Sequence, residues 1–464
     1  MNEGASQKAE LPPQAAAQAS QPGNDRPESA WWTGRAYASP YQNPAFWGLS
    51  ITQFLGAFND NLYKQILLLL FVAVPWNGQT RDLQWLATGC FSLPFVLFSG
   101  YAGYLSDRYS KRRVIIASKV AEILIMAAGI GGFALWTSMG MNAVTIGLLC
   151  VTIFCMGAQS AFFGPGKYGI LPEFLPERQL PDANGFILMT TFVAVILGSA
   201  LAGTLLEWFG QRLWAAGVVC TGIAVLGTLS SLLVARVAAA NPALRFERSA
   251  LVIPGELRQH FRADPSLWGA LLVSSVFWMS AAIAQMAVNA LGKLQLGVGD
   301  QKTSLLVASI SIGIAFGSVL AARMSRHRFH TRVLMAGLWG LCSCLVLLAI
   351  PAANPQRHLL GYGGSIGALI VAGAFTGMFS VPLQVFLQAR PPQTLKGRMI
   401  ASQNLLNWIG ITASAPIYHL ATVALEKANV PPCGMFLVVA GMLAAAGLYL
   451  HIAWLPRLVQ PAVR

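Results

Sequence analysis

Apolar runs long enough to cross a bilayer core, which asks for about 20 residues per helix, recur twelve times along the chain. The first six occupy 46–74, 83–105, 114–136, 143–163, 185–206 and 213–235. After the more polar stretch 236–266, six more follow at 267–291, 304–322, 333–351, 365–387, 399–425 and 435–455. The pattern predicts an all-α polytopic membrane protein whose twelve transmembrane helices form two six-helix bundles, 43–235 and 267–456, joined by a central loop at 236–266. Residues 1–42, rich in Ala, Gln and Pro and lacking any apolar run, read as a disordered tail. Residues 457–464 form a second, short tail.

Composition agrees with this pattern. Of 464 residues, 55% are hydrophobic and 10% charged, with a mean hydropathy of +0.57, whereas soluble domains carry about 25% charged residues. The net charge of +14 would suggest nucleic acid in a soluble chain, but its distribution gives a topological explanation. Of the 31 Lys and Arg, 24 fall in the tails and loops on one side; six (Arg81, Arg212, Lys293, Lys302, Arg357 and Lys427) fall on the other, and Lys64 lies inside a run. By the positive-inside rule both termini are cytoplasmic, and no nucleic-acid partner is needed. Early acids (Glu3, Glu10, Asp25, Glu28) argue against a signal peptide. The seven cysteines sit in or beside apolar runs without CxxC or metal-ligand spacing, so neither disulfides nor zinc are expected. No P-loop occurs, and His260 and Asp264 are separated by three residues rather than the four of an acyltransferase motif. The chain is therefore expected not to be an enzyme and to hold no cofactor or metal.

The halves echo one another. The stretch from Gly103 to Arg113, after the second run, has a counterpart in Gly317 to Arg323 after the eighth. Gly164-Pro165 is echoed by Val381-Pro382, and Asn184 by Asn404. These shared features predict an internal duplication.

An ionisable side chain in mid-membrane costs at least ~2.5 kcal/mol on insertion scales. Asp60 lies near the middle of the first run with Lys64 one turn on, the favourable order for a helical pair, and Gln53 and Asn61 accompany them. Either the pair is an internal bridge that lets the helix insert, or it serves substrate binding, coupling or gating. Polar stripes recur at Trp278, Gln285 and Asn289; at Thr376, Ser380, Gln384 and Gln388; and at Gln403, Asn407, Gly410 and Ser414. Such stripes serve interhelical hydrogen bonding or line a shared cavity. Glu122 with Lys119 reads as a structural pair, His419 and His451 as packing residues, and Trp76, Trp208, Trp214, Trp268, Tyr362 and Trp454 as interfacial anchors.

The stretch from Gly103 to Arg113 resembles the signature G-x-x-x-D-[RK]-x-G-[RK]-[RK] of the major facilitator superfamily, with Ser110 in place of the second glycine. Three further stretches, Gln53 to Asn61, Phe163 to Glu173 and Leu180 to Gly185, resemble the bacterial lysophospholipid transporter family. The likeness runs over most of the chain from about residue 46 and is strongest in the N-terminal half. It implies the major facilitator fold and inward flipping of lysophospholipids across the bacterial inner membrane for re-acylation. Its partners would then be an amphipathic lipid, the surrounding membrane lipids and a soluble acyltransferase. It makes Asp60 and Lys167, with Tyr168 beside it, charged-cavity residues, and it places the cytoplasmic gate at Gly103, Asp107, Arg108, Lys111 and Arg112. At Gln285 the family pattern expects a basic residue, so a natural partner for a lipid phosphate is missing there. The second half lacks an Asp in its version of the loop, which implies asymmetric gating. Two other readings stand beside this one: a carrier of muropeptides, sugars or drugs, and a non-transporting membrane partner of an acyltransferase, which would have no use for Asp60.

Overall fold

The computed structural model describes residues 37–76, 78–246, 255–324, 331–352, 358–392 and 395–454. Twelve long helices account for most of it. In the first half they are α1 (Pro44–Phe71), α2 (Gln84–Arg108), α3 (Lys111–Met139), α4 (Ala143–Gly169), α5 (Leu180–Phe209) and α6 (Trp214–Ser231). In the second half they are α7 (Pro265–Ala290), α8 (Asp300–Met324), α9 (Thr331–Leu348), α10 (Gly361–Ala389), α11 (Lys396–Lys427) and α12 (Gly434–Tyr449). Eleven are long and apolar enough to span a membrane. The other, α1, is diluted by Gln53, Asn59, Asp60, Asn61, Lys64 and Gln65. The expected tails lie outside the described residues, apart from 37–42, where Pro40–Gln42 forms a short turn.

Local signals set the helix ends. Asn43 caps α1 by accepting from the Ala45 amide at 2.9 Å, with Pro44 at the first helical position. At α4, Asn142 and Thr145 form a reciprocal capping box. The fourth run was expected to stop near Phe163, yet α4 continues through Pro165 to Gly169. In a membrane helix packed against neighbours, the bond that proline removes is a tolerable loss. The hydropathy pattern also misses a small hairpin between α1 and α2, in which β1 (Val74–Trp76) pairs antiparallel with β2 (Gln79–Arg81). Gly78 follows β1 at φ +76°, where a side chain would be strained.

The duplication is visible in the packing. In the first half α1 packs on α5 and α6, α2 on α4, and α3 on α4 and α6. In the second half α7 packs on α11 and α12, α8 on α10, and α9 on α10 and α12. Each pairing recurs with six added to both helix numbers. The bundles meet along α5 with α8 and α2 with α11, themselves a related pair of pairs.

One end of the molecule carries the α2–α3 loop and its arginines; it is called the basic end here, and the opposite one the far end. Hydrogen bonds between bundles concentrate at the far end. There the Gly203 amide donates to Ser304 Oγ at 3.0 Å, and the Gln301 amide to Glu207 at 2.9 Å. Between α2 and α11 the Phe95 and Trp408 rings stack at 3.7 Å and 6°.

Candidate functional site

A helix satisfies its own backbone, so a carboxylate in mid-membrane must find partners on neighbouring helices. Asp60 finds them on α4. Ser160 donates to Oδ2 at 2.5 Å, and Gln159 Nε2 donates to Oδ1 at 3.4 Å. The bridge to Lys64 that the spacing suggested is not formed: no ion pair joins the two among the described residues. Lys64 instead places Nζ 5.5 Å from the centroid of the Phe91 ring on α2, a cation–π contact. The two side chains leave α1 toward different helices, and a hydroxyl from α4 meets the carboxylate without a lysine having to lie along its own helix. Lys64 and Lys167 nevertheless stay within electrostatic reach of Asp60. Lys167 lies 4.9 Å from the Tyr168 ring, which is exposed.

Behind Asp60 the N-terminal bundle encloses a second charged group. Lys119 and Glu122 form an ion pair at 2.5 Å, with side chains 2% and 1% exposed. Asn59 Nδ2 donates to the free oxygen of Glu122 at 2.8 Å, and the Phe163 ring lies 5.0 Å from the ammonium. The charges of Glu122 and Lys119 act on Asp60 as well. Asp60, Lys64 and Lys167 thus stand in front of a fully buried pair, all within one bundle.

A relay of amides joins the two bundles at the far end. Gln285 donates to Gln65 (3.2 Å), Gln65 to Asn289 (2.8 Å), Asn289 to Gln84 (2.9 Å), and Gln84 to Asp82 (3.0 Å). The Tyr418 hydroxyl and the Gln84 amide also donate to Asp82, at 2.6 and 3.0 Å. Gln65, Gln84 and Asn289 are fully buried, so each unmade bond here would leave a costly orphan. Asp82 precedes α2, outside the spanning segment. Burial raises its carboxyl to about 6, opposed by hydrogen bonds from Tyr418 and Gln84 and assisted by the charge of Glu426.

Several stripe residues are engaged in bonds between or within helices. Gln53 is buried and pairs α1 with α5, exchanging bonds with Thr191 at 2.9 and 3.0 Å. Asn61 folds back onto the Ala57 carbonyl of its own helix at 2.8 Å. Gln403 donates to Gln384 at 2.7 Å, Ser274 donates to Asn407 at 3.0 Å, and Gln388 is exposed. Gln285 and Asn289 belong to the relay. The structure thus divides the residues singled out in the sequence among the charged cluster at Asp60, the far-end relay, helix contacts within each bundle and the basic end.

At the basic end, the carboxylate of Asp107 is exposed and makes no ion pair or hydrogen bond among the described residues. Arg108 donates to the Tyr104 hydroxyl and lies 5.7 Å from the Tyr104 and Tyr109 rings. Lys111 pairs with Glu173. Arg112 donates to the Val234 and Leu232 carbonyls, both at 2.8 Å, just past the end of α6. Gly103 has open space around its Cα, so nothing near it requires a glycine.

Reading the sequence did not single out Ser160, Gln159, Gln65, Gln84, Asp82 or Tyr418. The adjacent polar pair Gln159-Ser160 inside the fourth run was the one local signal available. The other four become a group only when four helices meet.

Duplicated six-helix bundles, a charged cluster in one half and hydrogen bonds that join the bundles at one end are the marks of a multi-pass membrane transporter. The chain matches the Major Facilitator Superfamily over residues 49–415 and belongs to it. Its relatives include the lysophospholipid transporter LplT of Serratia proteamaculans, 27% identical over 397 residues that cover 82% of this chain and 90% of the relative. The LplT of Klebsiella pneumoniae is 27% identical over 424 residues, 88% and 96% of the two chains. That of Yersinia pestis is 29% identical over 368 residues, 76% and 80%. The fold is shared with the nucleoside transporter NupG (TM-score 0.63, 11% identity, 88% of this chain and 99% of that one). It is also shared with a peptide transporter of the POT family (TM-score 0.66, 14% identity, 89% and 94%).

Proposed function

We propose that this protein moves lysophospholipids across the bacterial inner membrane by alternating access. The observation that carries this reading is the charged cluster around Asp60: one carboxylate with two lysines, Lys64 and Lys167, within electrostatic reach of it inside a membrane-spanning bundle. A zwitterionic lysophospholipid presents an ammonium and a phosphate, which match one acid and two bases in charge and chemistry. The relatives named as lysophospholipid transporters support the same substrate class. In this reading the phosphate partner absent at Gln285 is supplied by the lysines of the N-terminal bundle.

The basic end faces the cytoplasm, with both termini on that side, as the charge asymmetry supports. Residues 43–235 and 267–456 then move as two bodies. With the far-end relay made and Asp107 unengaged, the molecule is in the state open to the cytoplasm. The product is delivered on the side where a soluble acyltransferase works, and that enzyme is its functional partner.

The test is uptake of labelled lysophosphatidylethanolamine by spheroplasts lacking their own transporter, with the wild type and with Asp60→Asn. Wild-type protein should confer uptake, and the variant, folded and expressed, should lose about tenfold or more of it. Uptake unchanged by Asp60→Asn would reduce Asp60 to an insertion partner. No uptake by folded wild type would discard the lipid and turn attention to muropeptides, which a wall of amides such as Gln384 and Gln403 would suit.

A further inference from the structure

The chain that leaves α6 does not depart from the bundle at once. It runs back across the α2–α3 loop, where Ser110 Oγ donates to the Val237 carbonyl at 2.8 Å and the Asn241 amide donates to the Asp107 carbonyl at 2.9 Å. Phe246 then packs edge-on against Tyr101 and Tyr104, with centroids 5.5 and 5.3 Å apart. Between this strap and the start of α3 lies a cavity of about 670 Å³, lined by Arg108, Arg112, Arg113, Arg236 and Tyr109, with no Asp or Glu in its described lining.

Four guanidiniums around one cavity repel one another, and Arg236 and Arg112 are close enough to do so. Two have found partial relief, Arg108 on Tyr104 and Arg112 on the carbonyls past α6. Arg113 and Arg236 have no ion pair or hydrogen bond among the described residues. The arrangement also goes against the helix dipole. Lys111, Arg112 and Arg113 occupy the first turn of a 29-residue helix, where acids are favoured and cations are not. Lys111 is neutralised by Glu173, and among the described residues no acid does the same for Arg113. An anion in the cavity would remove the repulsion and satisfy donors that are otherwise left to water. Guanidinium forks suit a tetrahedral phosphate oxyanion above other anions.

We propose that this cavity binds a phosphate group, held by Arg113 and Arg236 with support from Arg108 and Arg112, and that its occupant fastens the strap to the α2–α3 loop beside Asp107. The phosphate is that of an anionic lipid head group or of a soluble phosphate. The proposal rests on the functional reading only in placing this end at the cytoplasmic leaflet, and the test below measures binding without transport.

The experiment uses the full chain, purified in detergent and stripped of lipid. Phosphatidylglycerol retention is read by native mass spectrometry, and inorganic phosphate binding by equilibrium dialysis with radiolabelled phosphate. Arg113→Gln/Arg236→Gln is compared with Arg258→Gln/Arg262→Gln, which removes the same charge from exposed positions at the same end. The wild type and the second variant should hold one phosphate-bearing ligand that the first variant binds at least about tenfold more weakly. Binding of the lipid but not of inorganic phosphate assigns the site to a head group; binding of inorganic phosphate with displacement of the lipid assigns it to a soluble anion. Equal affinities in all three proteins, or equal loss in both variants, would overturn the proposal and leave only general attraction between a basic surface and anions. A first variant that fails to fold is replaced by Arg113→Lys/Arg236→Lys. This variant keeps the charge but not the fork, and it should weaken binding by a smaller factor; unchanged binding there would also overturn the proposal.

Discussion

The two bundles repeat one another's packing and differ in what fills them. The N-terminal bundle encloses the Lys119–Glu122 pair and holds Asp60 in front of it. The C-terminal bundle is held by close helix approach and neutral amides: a Cβ at Gly317 of α8 would come within 1.9 Å of the Ala374 carbonyl of α10, and Gln403 bonds to Gln384. Duplication fixed the architecture of both halves, and among the described residues the fully buried ion pair lies in one. The half without buried charge in its core can present a neutral wall to whatever the charged half binds. Holding the charge in one bundle also spares the other the cost of burying ions.

Breaking the charged core should have the largest effect. Lys119→Met strands the Glu122 carboxylate and should destabilise the protein by about 3–5 kcal/mol, whereas Lys119→Met/Glu122→Leu should recover most of that loss. Thermal unfolding in detergent would show it, and equal melting of the single and double variants would mean the pair is not a unit. In the other half, Gly317→Val should cost about 1–3 kcal/mol through overpacking alone. The same assay reads it, and an unchanged melting temperature would show that α8 and α10 can separate freely.

A third measurement concerns the closure both bundles share. Asp82 has its carboxyl raised to about 6 by burial, and in water it would return to about 4. The closed relay therefore holds a proton more tightly than an opened one. Closure is favoured as pH falls through 6 toward 4 and weakened as pH rises through that window. Ser99→Cys, one turn from Phe95 on α2, reports access from the basic end. Its labelling, relative to the same reporter carrying Asp82→Asn, should decline as pH rises from about 4 to about 6 and level off above that, and a constant ratio would remove Asp82 from the closure. The smallest effect is expected at the basic end. Asp107 is unengaged in this state, so Asp107→Asn can act only through the state not seen here. A modest rise in Ser99→Cys labelling would support Asp107 as part of a lock, and identical labelling would rule the lock out.

How much of this could be read from residues alone follows from the range of each interaction. Twelve spans were legible because a bilayer imposes a length on every one of them. The Lys119–Glu122 pair was legible because its members share a helix. Asp60 was legible as a carboxylate in mid-membrane that needs partners, but it was misread in its partner. Spacing along one helix proposed Lys64, and Ser160, a hundred positions away, was the hydroxyl that answered. Of the relay, the stripe of Gln285 and Asn289 was legible but none of its pairings: Gln84 meets Asn289 across 205 positions and Tyr418 meets Asp82 across 336. No periodicity within a helix encodes such pairings. The hairpin has a simpler reason, since its two strands are three residues each and too short to leave a hydropathy pattern.

The chemistry of the relay has an electrical consequence. A potential of 100 mV does about 2.3 kcal/mol of work on each elementary charge carried across a membrane. Gln285, Gln65, Asn289 and Gln84 carry none, and each amide can donate and accept, so the chain can part and rejoin by rotating groups without carrying charge through the field. Parting these amides is then a step to which the membrane voltage is nearly blind, while Asp82, whose proton changes with closure, lies outside the spanning segments. Sensitivity to voltage is left to the half of the molecule where Asp60 and its lysines reside.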